Sequence, residues 1–177
     1  ISRSQQEDAA AFSVLVSTFQ PLVFRLAFRL LCDEDEAKDM VQETFVKVWL
    51  ALGKYNGECR FSTWIYKITC NTCYDRLRSL YHSPLDNEAD YSVSVNISSD
   101  DNVELAVVNK QLRELILRYT DELSPRQRLI FTLRDIEELD VPEVQTITGL
   151  SAGIIKTTLY LARKNIRNKM NQIDAGL

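Results

Sequence analysis

Apolar residues recur along most of this chain at helical spacing, and they divide it into a series of amphipathic helices. Ser4 and Glu7 form a capping-box pattern ahead of Phe12, Leu15, Val16 and Phe19, which share one helical face. Pro21 is expected to start or kink the next stretch, where Leu22, Val23, Leu26, Leu30 and Leu31 are apolar. Asp33 and Glu36 repeat the capping pattern and open a third helix. Its inward positions are Ala37, Met40, Val41, Phe45, Val48 and Leu52; its outer face carries Glu36, Asp39, Gln42, Glu43 and Lys47. A loop over 54–60, with a turn at Asn56-Gly57, leads into a further helix in which Phe61, Ile65, Ile68 and Leu77 suit a core.

The last third, Leu123 to Met170, reads as a helix, a short helix, a tight turn and a longer basic helix. That is the layout of a helix-turn-helix, whose second helix enters the DNA major groove. Asp140 is placed to cap the short helix, with Glu143 as reciprocal partner and Pro142 tolerated in the first turn. Gly149 supplies the backbone freedom for the turn, and Ser151 caps the next helix. Ile155, Leu159, Ala162 and Ile166 make a buried stripe, leaving Gly153, Lys156, Thr157, Tyr160, Lys164 and Arg167 on the other side. Lys156 to Lys169 holds five basic residues and no acid. A solvated helix would explain a basic face alone; cap, turn and stripe together favour DNA.

Between these parts, SPLDNEADYSVSVNISSDDN has no helical stripe and reads as a flexible acidic linker. The pattern therefore predicts an all-α protein of two small helical domains, with the linker over 82–104 between parts 1–81 and 105–177. Gly and Pro are scarce, at 5 and 4, which agrees with helices throughout. The net charge of −4 looks wrong for a nucleic-acid binder until it is divided. Residues 82–104 carry six acids and no base, whereas 105–177 carry eleven bases against nine acids. Local patches set the field that DNA meets.

Candidate chemistry is binding rather than catalytic. Asp33 to Glu43 holds six acids and one base. Complementing the helix dipole explains the first turn, but Asp39 and Glu43 lie beyond it, so a basic protein partner is an alternative. In the FSTW helix, Trp64, Lys67, Asn71, Arg76 and Arg78 combine aromatic, amide and basic groups, a mixture suited to unpaired bases. Trp64 and Tyr66 also read as core aromatics, the commoner case for any one aromatic, and Trp64 fits either role. The four cysteines are too few and scattered for a disulfide framework; with neither signal peptide nor membrane span read, the chain is expected to be cytoplasmic. Cys70 and Cys73 form a CxxC near His82, but a structural zinc site needs about four ligands, and no second pair has matching spacing. One histidine and no nucleophile–base pairing argue against an enzyme; no cofactor, metal or small-molecule substrate is expected.

Several motifs carry a family resemblance. Val41, Gln42, Glu43, Phe45 and Trp49 fit V-Q-E-x-F-x-x-x-W; Phe61, Thr63, Trp64, Ile65, Tyr66 and Ile68 fit F-x-T-W-[IL]-[YF]-x-I; Asn71, Asp75, Leu77 and Arg78 fit the motif that follows. This segment resembles the polymerase-binding and promoter-melting domain of extracytoplasmic-function (ECF) sigma factors of bacterial RNA polymerase. LSPRQRLIFTLRDIEELDVPEVQTITGLSAGIIKTTLYLARKNIR resembles their second DNA-binding domain. The resemblance implies a transcription initiation factor, with catalysis left to the polymerase core. It implies that Asp39, Gln42, Glu43 and Trp49 face or support the polymerase. It implies that Asn56, Gly57, Phe61, Trp64, Lys67, Asn71 and Arg78 handle the melted minus-ten element. The loop before Phe61 would hold one flipped base.

Upstream, the resemblance assigns the minus-thirty-five element to the helix from Ser151, with Gly153, Lys156, Thr157, Tyr160, Arg163 and Arg167. Implied partners are core RNA polymerase, promoter DNA and an anti-sigma factor, commonly membrane-anchored. Two departures stand out. Thr158 and Leu161 occupy positions where relatives often carry basic residues, and Lys38 interrupts the acidic run. The alternative function is a conventional helix-turn-helix regulator, which would not need the VQETF and FSTW segments.

Overall fold

The structure is a computed structural model and describes residues 8–81, 119–120 and 122–174. The expected linker and the Ser4–Glu7 capping pattern lie outside the described residues. Among the described residues every regular element is helical. The α-helices are α1 (Ala9–Leu31), α2 (Glu34–Ala51), α3 (Phe61–Tyr81), α4 (Pro125–Phe131), α5 (Val141–Thr148) and α6 (Ala152–Asp174). A 3₁₀ turn, Leu52–Lys54, ends α2, and a π turn, Thr132–Ile136, extends α4.

Helix α1 is capped by Asp8, whose side chain accepts from the Ala10 and Ala11 amides at 3.0 and 3.1 Å. Of the two expectations for Pro21, a helix start is not met: it does not open a new helix but sits inside α1. Packing on both sides of it outweighs the local penalty: Leu15 and Val23 are buried in one cluster with Val41, Phe45 and Ile65. Asp33 caps α2 as expected, accepting from the Asp35 and Glu36 amides, each at 3.0 Å. The Glu36 carboxylate is held by Arg76 of α3 in a two-pronged ion pair. All six inward positions read for α2, from Ala37 to Leu52, are buried.

Helix α3 has two buried faces. Phe61 and Ile65 join the cluster with α1 and α2. Tyr66, Cys70, Cys73 and Leu77 join a second cluster that also contains Leu26 and Leu30 of α1, Leu129 and Ile130 of α4, Val144 and Ile147 of α5, and Ile155 of α6. The two lobes are thus packed on each other through one continuous core. A linker reading alone suggests separate bodies; the second apolar face of α3 is what brings them together.

One polar node crosses this interface. The Glu137 carboxylate, its side chain 6% exposed, accepts from Tyr66 Oη at 2.7 Å and from the Arg29 guanidinium. Burial, and then the hydrogen bond to Glu137, push the Tyr66 phenol well above its ordinary value, so it remains a neutral donor. Beside it, buried Arg128 donates to the Leu30 carbonyl at 3.3 Å and the Thr120 carbonyl at 2.9 Å. Removing one partner from a buried pair is far costlier than the pair's net worth, typically about 3–5 kcal/mol. We expect Glu137→Ala to part the lobes, read as a larger radius of gyration in small-angle X-ray scattering. An unchanged radius would show that apolar packing alone holds them.

Candidate nucleic-acid interface

The helix-turn-helix is built as its sequence demands. The Asp140 side chain accepts from the Glu143 amide at 2.7 Å, and the Glu143 side chain accepts from the Asp140 amide at 3.1 Å. With Pro142 in the first turn, this closes a capping box on α5. Gly149 ends α5 at φ 72°, in the left-handed region, and its amide donates to the Gln145 carbonyl at 2.8 Å. Ser151 then starts α6: its carbonyl accepts from the Ile155 amide at 3.0 Å and its hydroxyl from the Ile154 amide at 3.4 Å. Ile155, Leu159 and Ala162 are buried, and Ile166 is half-buried.

All seven residues expected to meet the upstream element are exposed: Ser151, Gly153, Lys156, Thr157, Tyr160, Arg163 and Arg167. They are not equivalent. Gly153, Thr157, Tyr160 and Lys164 lie opposite the buried stripe at 100° per residue. Lys156, Arg163 and Arg167 form a basic flank on one side of that line, and Ile154 and Leu161 form an apolar flank on the other, 44% and 42% exposed. Arg163 is already engaged: Asp135 accepts from its Nε at 2.8 Å and from a terminal nitrogen at 2.6 Å. That hydrogen bond holds the guanidinium above its ordinary value. Asp135 therefore offsets part of the charge that the sequence assigned to DNA.

In the first lobe, the outer face of α3 carries Lys67, Asn71 and Arg78, all exposed. The Arg78 guanidinium lies 6.0 Å from the Tyr74 ring centroid, a cation–π arrangement. Trp64 is half-buried and stacks on Phe61 with centroids 5.4 Å apart; Tyr55 lies 5.3 Å from Trp64 and 5.1 Å from Phe61. Phe61 is corrected from a DNA residue to a core residue. At 7% exposure it has no face for a base, because Phe19, Tyr55 and Trp64 surround its ring. Ahead of α3, Asn56 and Gly57 are exposed in the loop. Gly57 adopts φ 78°, and the Asn56 side-chain oxygen accepts from the Glu58 amide at 3.2 Å, so the loop has a defined turn.

The outer face of α2 presents Asp39, Gln42 and Glu43, all exposed. Glu43 pairs with Lys47 at 2.7 Å. Trp49 is half-buried edge-on against Phe12, with centroids 4.7 Å apart, so it supports this face from beneath. Sequence reading missed Val46 and Leu50, 59% and 74% exposed, which continue the same face one and two turns on. Their phase, off the inward stripe, is the signal that would have found them.

Two other expectations are placed by the structure. Cys70 and Cys73 are both buried, and burial pushes both thiols up, Cys73 to about 12. No group of three or more histidine, cysteine or acidic side chains gathers among the described residues. Helix α1 is long and apolar enough to cross a membrane by length and composition, although no span was read in the sequence. In the structure its apolar residues Leu15, Val23, Leu26 and Leu30 are buried in the protein core.

Comparison with known proteins places these surfaces in a family. Residues 15–82 match Sigma-70 region 2, and residues 113–166 match Sigma-70, region 4. The chain belongs to the sigma-70 family, as an ECF-type member. The ECF RNA polymerase sigma-E factor of Escherichia coli (strain K12) is 29% identical, over 98% of this chain and 93% of the relative. The RNA polymerase sigma-H factor of Pseudomonas aeruginosa is 27% identical, over 94% and 89%. Among solved structures, CnrH in complex with the cytosolic domain of CnrY has the same fold, with a TM-score of 0.68 at 19% identity over 97% of this chain and 94% of that one. The sigma factor RpoE in complex with the anti-sigma factor NepR from Bartonella quintana gives 0.62 at 22% identity over 91% and 97%.

In this sigma factor the region 2 match takes in α2 and α3, and the region 4 match takes in α4, α5 and most of α6. The correction at Phe61 is directly testable. Phe61→Ala should lower stability by about 3–5 kcal/mol, the range for a buried aromatic, whereas Lys67→Ala should leave the urea midpoint nearly unchanged. A small effect at Phe61 would return it to the DNA-facing set.

Proposed function

We infer that this sigma factor docks on core RNA polymerase, directs it to specific promoters and helps open the duplex, while the chemistry of RNA synthesis stays with the polymerase. The observation that carries this reading is the joint exposure, on one chain, of three surfaces with different chemistry. One is the recognition helix α6 after a capped turn. Another is the aromatic, amide and basic face of α3. The third is the acidic and apolar face of α2. A conventional regulator needs only the first.

The residues divide accordingly. Asp39, Gln42 and Glu43, extended by Val46 and Leu50, meet the polymerase, with Trp49 beneath them. Trp64, Lys67, Asn71 and Arg78, with the Asn56-Gly57 loop, capture the melted minus-ten strand, where aromatics stack on bases and cations meet phosphates. Helix α6 reads the minus-thirty-five element, its base contacts giving specificity and its basic flank giving position. Residues 1–81 and 105–177 form the two functional parts, joined by the acidic segment 82–104. The site of action is the cytoplasm, where polymerase works. An anti-sigma factor is the further partner, a reading supported by the similar fold of the sigma factor RpoE, solved in complex with the anti-sigma factor NepR, and by that of CnrH, solved in complex with the cytosolic domain of CnrY.

Elements named minus ten and minus thirty-five lie about 25 base pairs apart, about 85 Å along the duplex. Even the 23-residue helix α6 spans only about 35 Å. Lobes that share one core cannot sit on both elements, so the packed arrangement parts when the promoter is engaged.

The deciding experiment is reconstituted transcription with core polymerase and this chain, followed by mapping of start sites. Asp39→Arg with Glu43→Arg should weaken core binding by tenfold or more while the helical content is unchanged; undiminished affinity would refute the docking face. For DNA, Asn71→Ala should mainly lower open-complex formation, with partial rescue on a pre-melted bubble template. Lys156→Ala should lower affinity for duplex and bubble templates alike. The same defect from both variants on both templates would refute the division of labour.

A further inference from the structure

The apolar flank of α6 is left unexplained by the assignments above. Ile154 and Leu161 are large, exposed and seven residues apart on one side of the helix, facing away from the basic flank of Lys156, Arg163 and Arg167. Between the flanks lie Gly153, Thr157, Tyr160 and Lys164, all exposed, with the two small residues toward the start of the helix.

We propose that Ile154 and Leu161 read thymine methyl groups in the major groove of the upstream promoter element, a reading that rests on α6 being the recognition helix. Three considerations carry it. The thymine 5-methyl is the apolar group among the base-edge features displayed in the major groove, and apolar side chains are its natural partner. A rise of 1.5 Å per residue separates the two positions by about 10.5 Å, close to the span of three base pairs. Each residue can then meet its own base rather than compete for one.

Scale decides against a protein partner on this flank. A standard protein interface buries about 800 Å² on each side, and two half-exposed aliphatic side chains fall far short of that. A single methyl needs no more than they offer. The flank is also continuous with the exposed Thr157 and Tyr160, so contacts from it fall within the footprint of a helix already lying in the groove. The arrangement assigns the two flanks different work: one fixes position through phosphates, and the other discriminates thymine from the remaining bases.

The test uses holoenzyme assembled from core bacterial RNA polymerase and the full chain. A pool of duplexes, randomised over the upstream element and constant elsewhere, is selected for binding. Each thymine of the selected element is then replaced singly by deoxyuridine, which removes only the 5-methyl group. At two positions about three base pairs apart, uracil should weaken binding about three- to fivefold, the scale of burying one methyl. Leu161→Ala should abolish the thymine preference at one position and Ile154→Ala at the other, with little change on the uracil templates. Equal binding of thymine and uracil everywhere, a selected element without thymine, or full discrimination retained by both variants would overturn the proposal. Lys156→Ala separates this failure from a wider one. It should weaken thymine and uracil templates alike; if it changes neither, the assignment of α6 to DNA falls as well.

Discussion

The packing of this molecule turns on one buried carboxylate. Glu137 lies just past the π turn that extends α4, and it meets Arg29 from α1 and Tyr66 from α3. A charge removed from water must be met by charge and hydrogen bonds, and here it has both. The same physics limits what the node contributes. Most of the Coulombic gain is offset by the desolvation of both ions, so the net stabilisation of a satisfied pair is small. Its removal is costly because a lone charge is left behind. Such a node fixes the register of two apolar surfaces strongly while adding little to the free energy of keeping them together. When the lobes part, Arg29 and Glu137 regain hydration, and the cost of separation is mainly that of exposing the apolar core.

Helix α3 makes this arrangement possible because its 21 residues serve three directions. One face closes the core with α1 and α2, a second carries Tyr66, Cys70, Cys73 and Leu77 toward the other lobe, and a third presents Lys67, Asn71 and Arg78 to solvent. The packed lobes therefore leave this third face open, and they leave the outer faces of α2 and α6 open as well. What packing consumes is reach. The two buried cysteines fit this account: their thiols are held neutral by burial, and they act as small apolar residues between helices.

Local features were legible in the sequence wherever the physics is local. The Asp140 capping box, the Gly149 turn and the Ile155–Leu159–Ala162 stripe depend on residues within a turn or two of one another, and each formed as read. The inward face of α2 followed from periodicity alone. Failures came where distant partners decide. Pro21 reads as a helix start or a kink, and tertiary packing on both sides excludes the start by carrying α1 through it. Phe61 reads as either core or DNA contact, and only the ring cluster with Phe19, Tyr55 and Trp64 settles it as core. Glu137, Arg29 and Tyr66 are far apart in the chain, and nothing in their local sequence announces a shared node. The ion pair of Arg163 with Asp135 was invisible for the same reason.

That last pair bears on how an acidic protein uses DNA at all. Electrostatic affinity for a duplex grows with the number of phosphates neutralised, each contributing a salt-dependence slope of about 0.9. The recognition helix offers Lys156, Lys164, Arg167 and a partly compensated Arg163; the outer face of α3 offers Lys67 and Arg78. Neither set alone supplies the many contacts that give strong sequence-independent binding. Two weak sites become strong when a scaffold holds them at the right separation, because the second contact is then made at high effective concentration. On the docking proposed for the outer face of α2, whose acids would repel DNA, the polymerase would be that scaffold. Low basic charge thus disfavours indiscriminate DNA binding by the chain alone, and on the proposed assignment of α6 and α3 it would leave a larger share of the discrimination to base contacts.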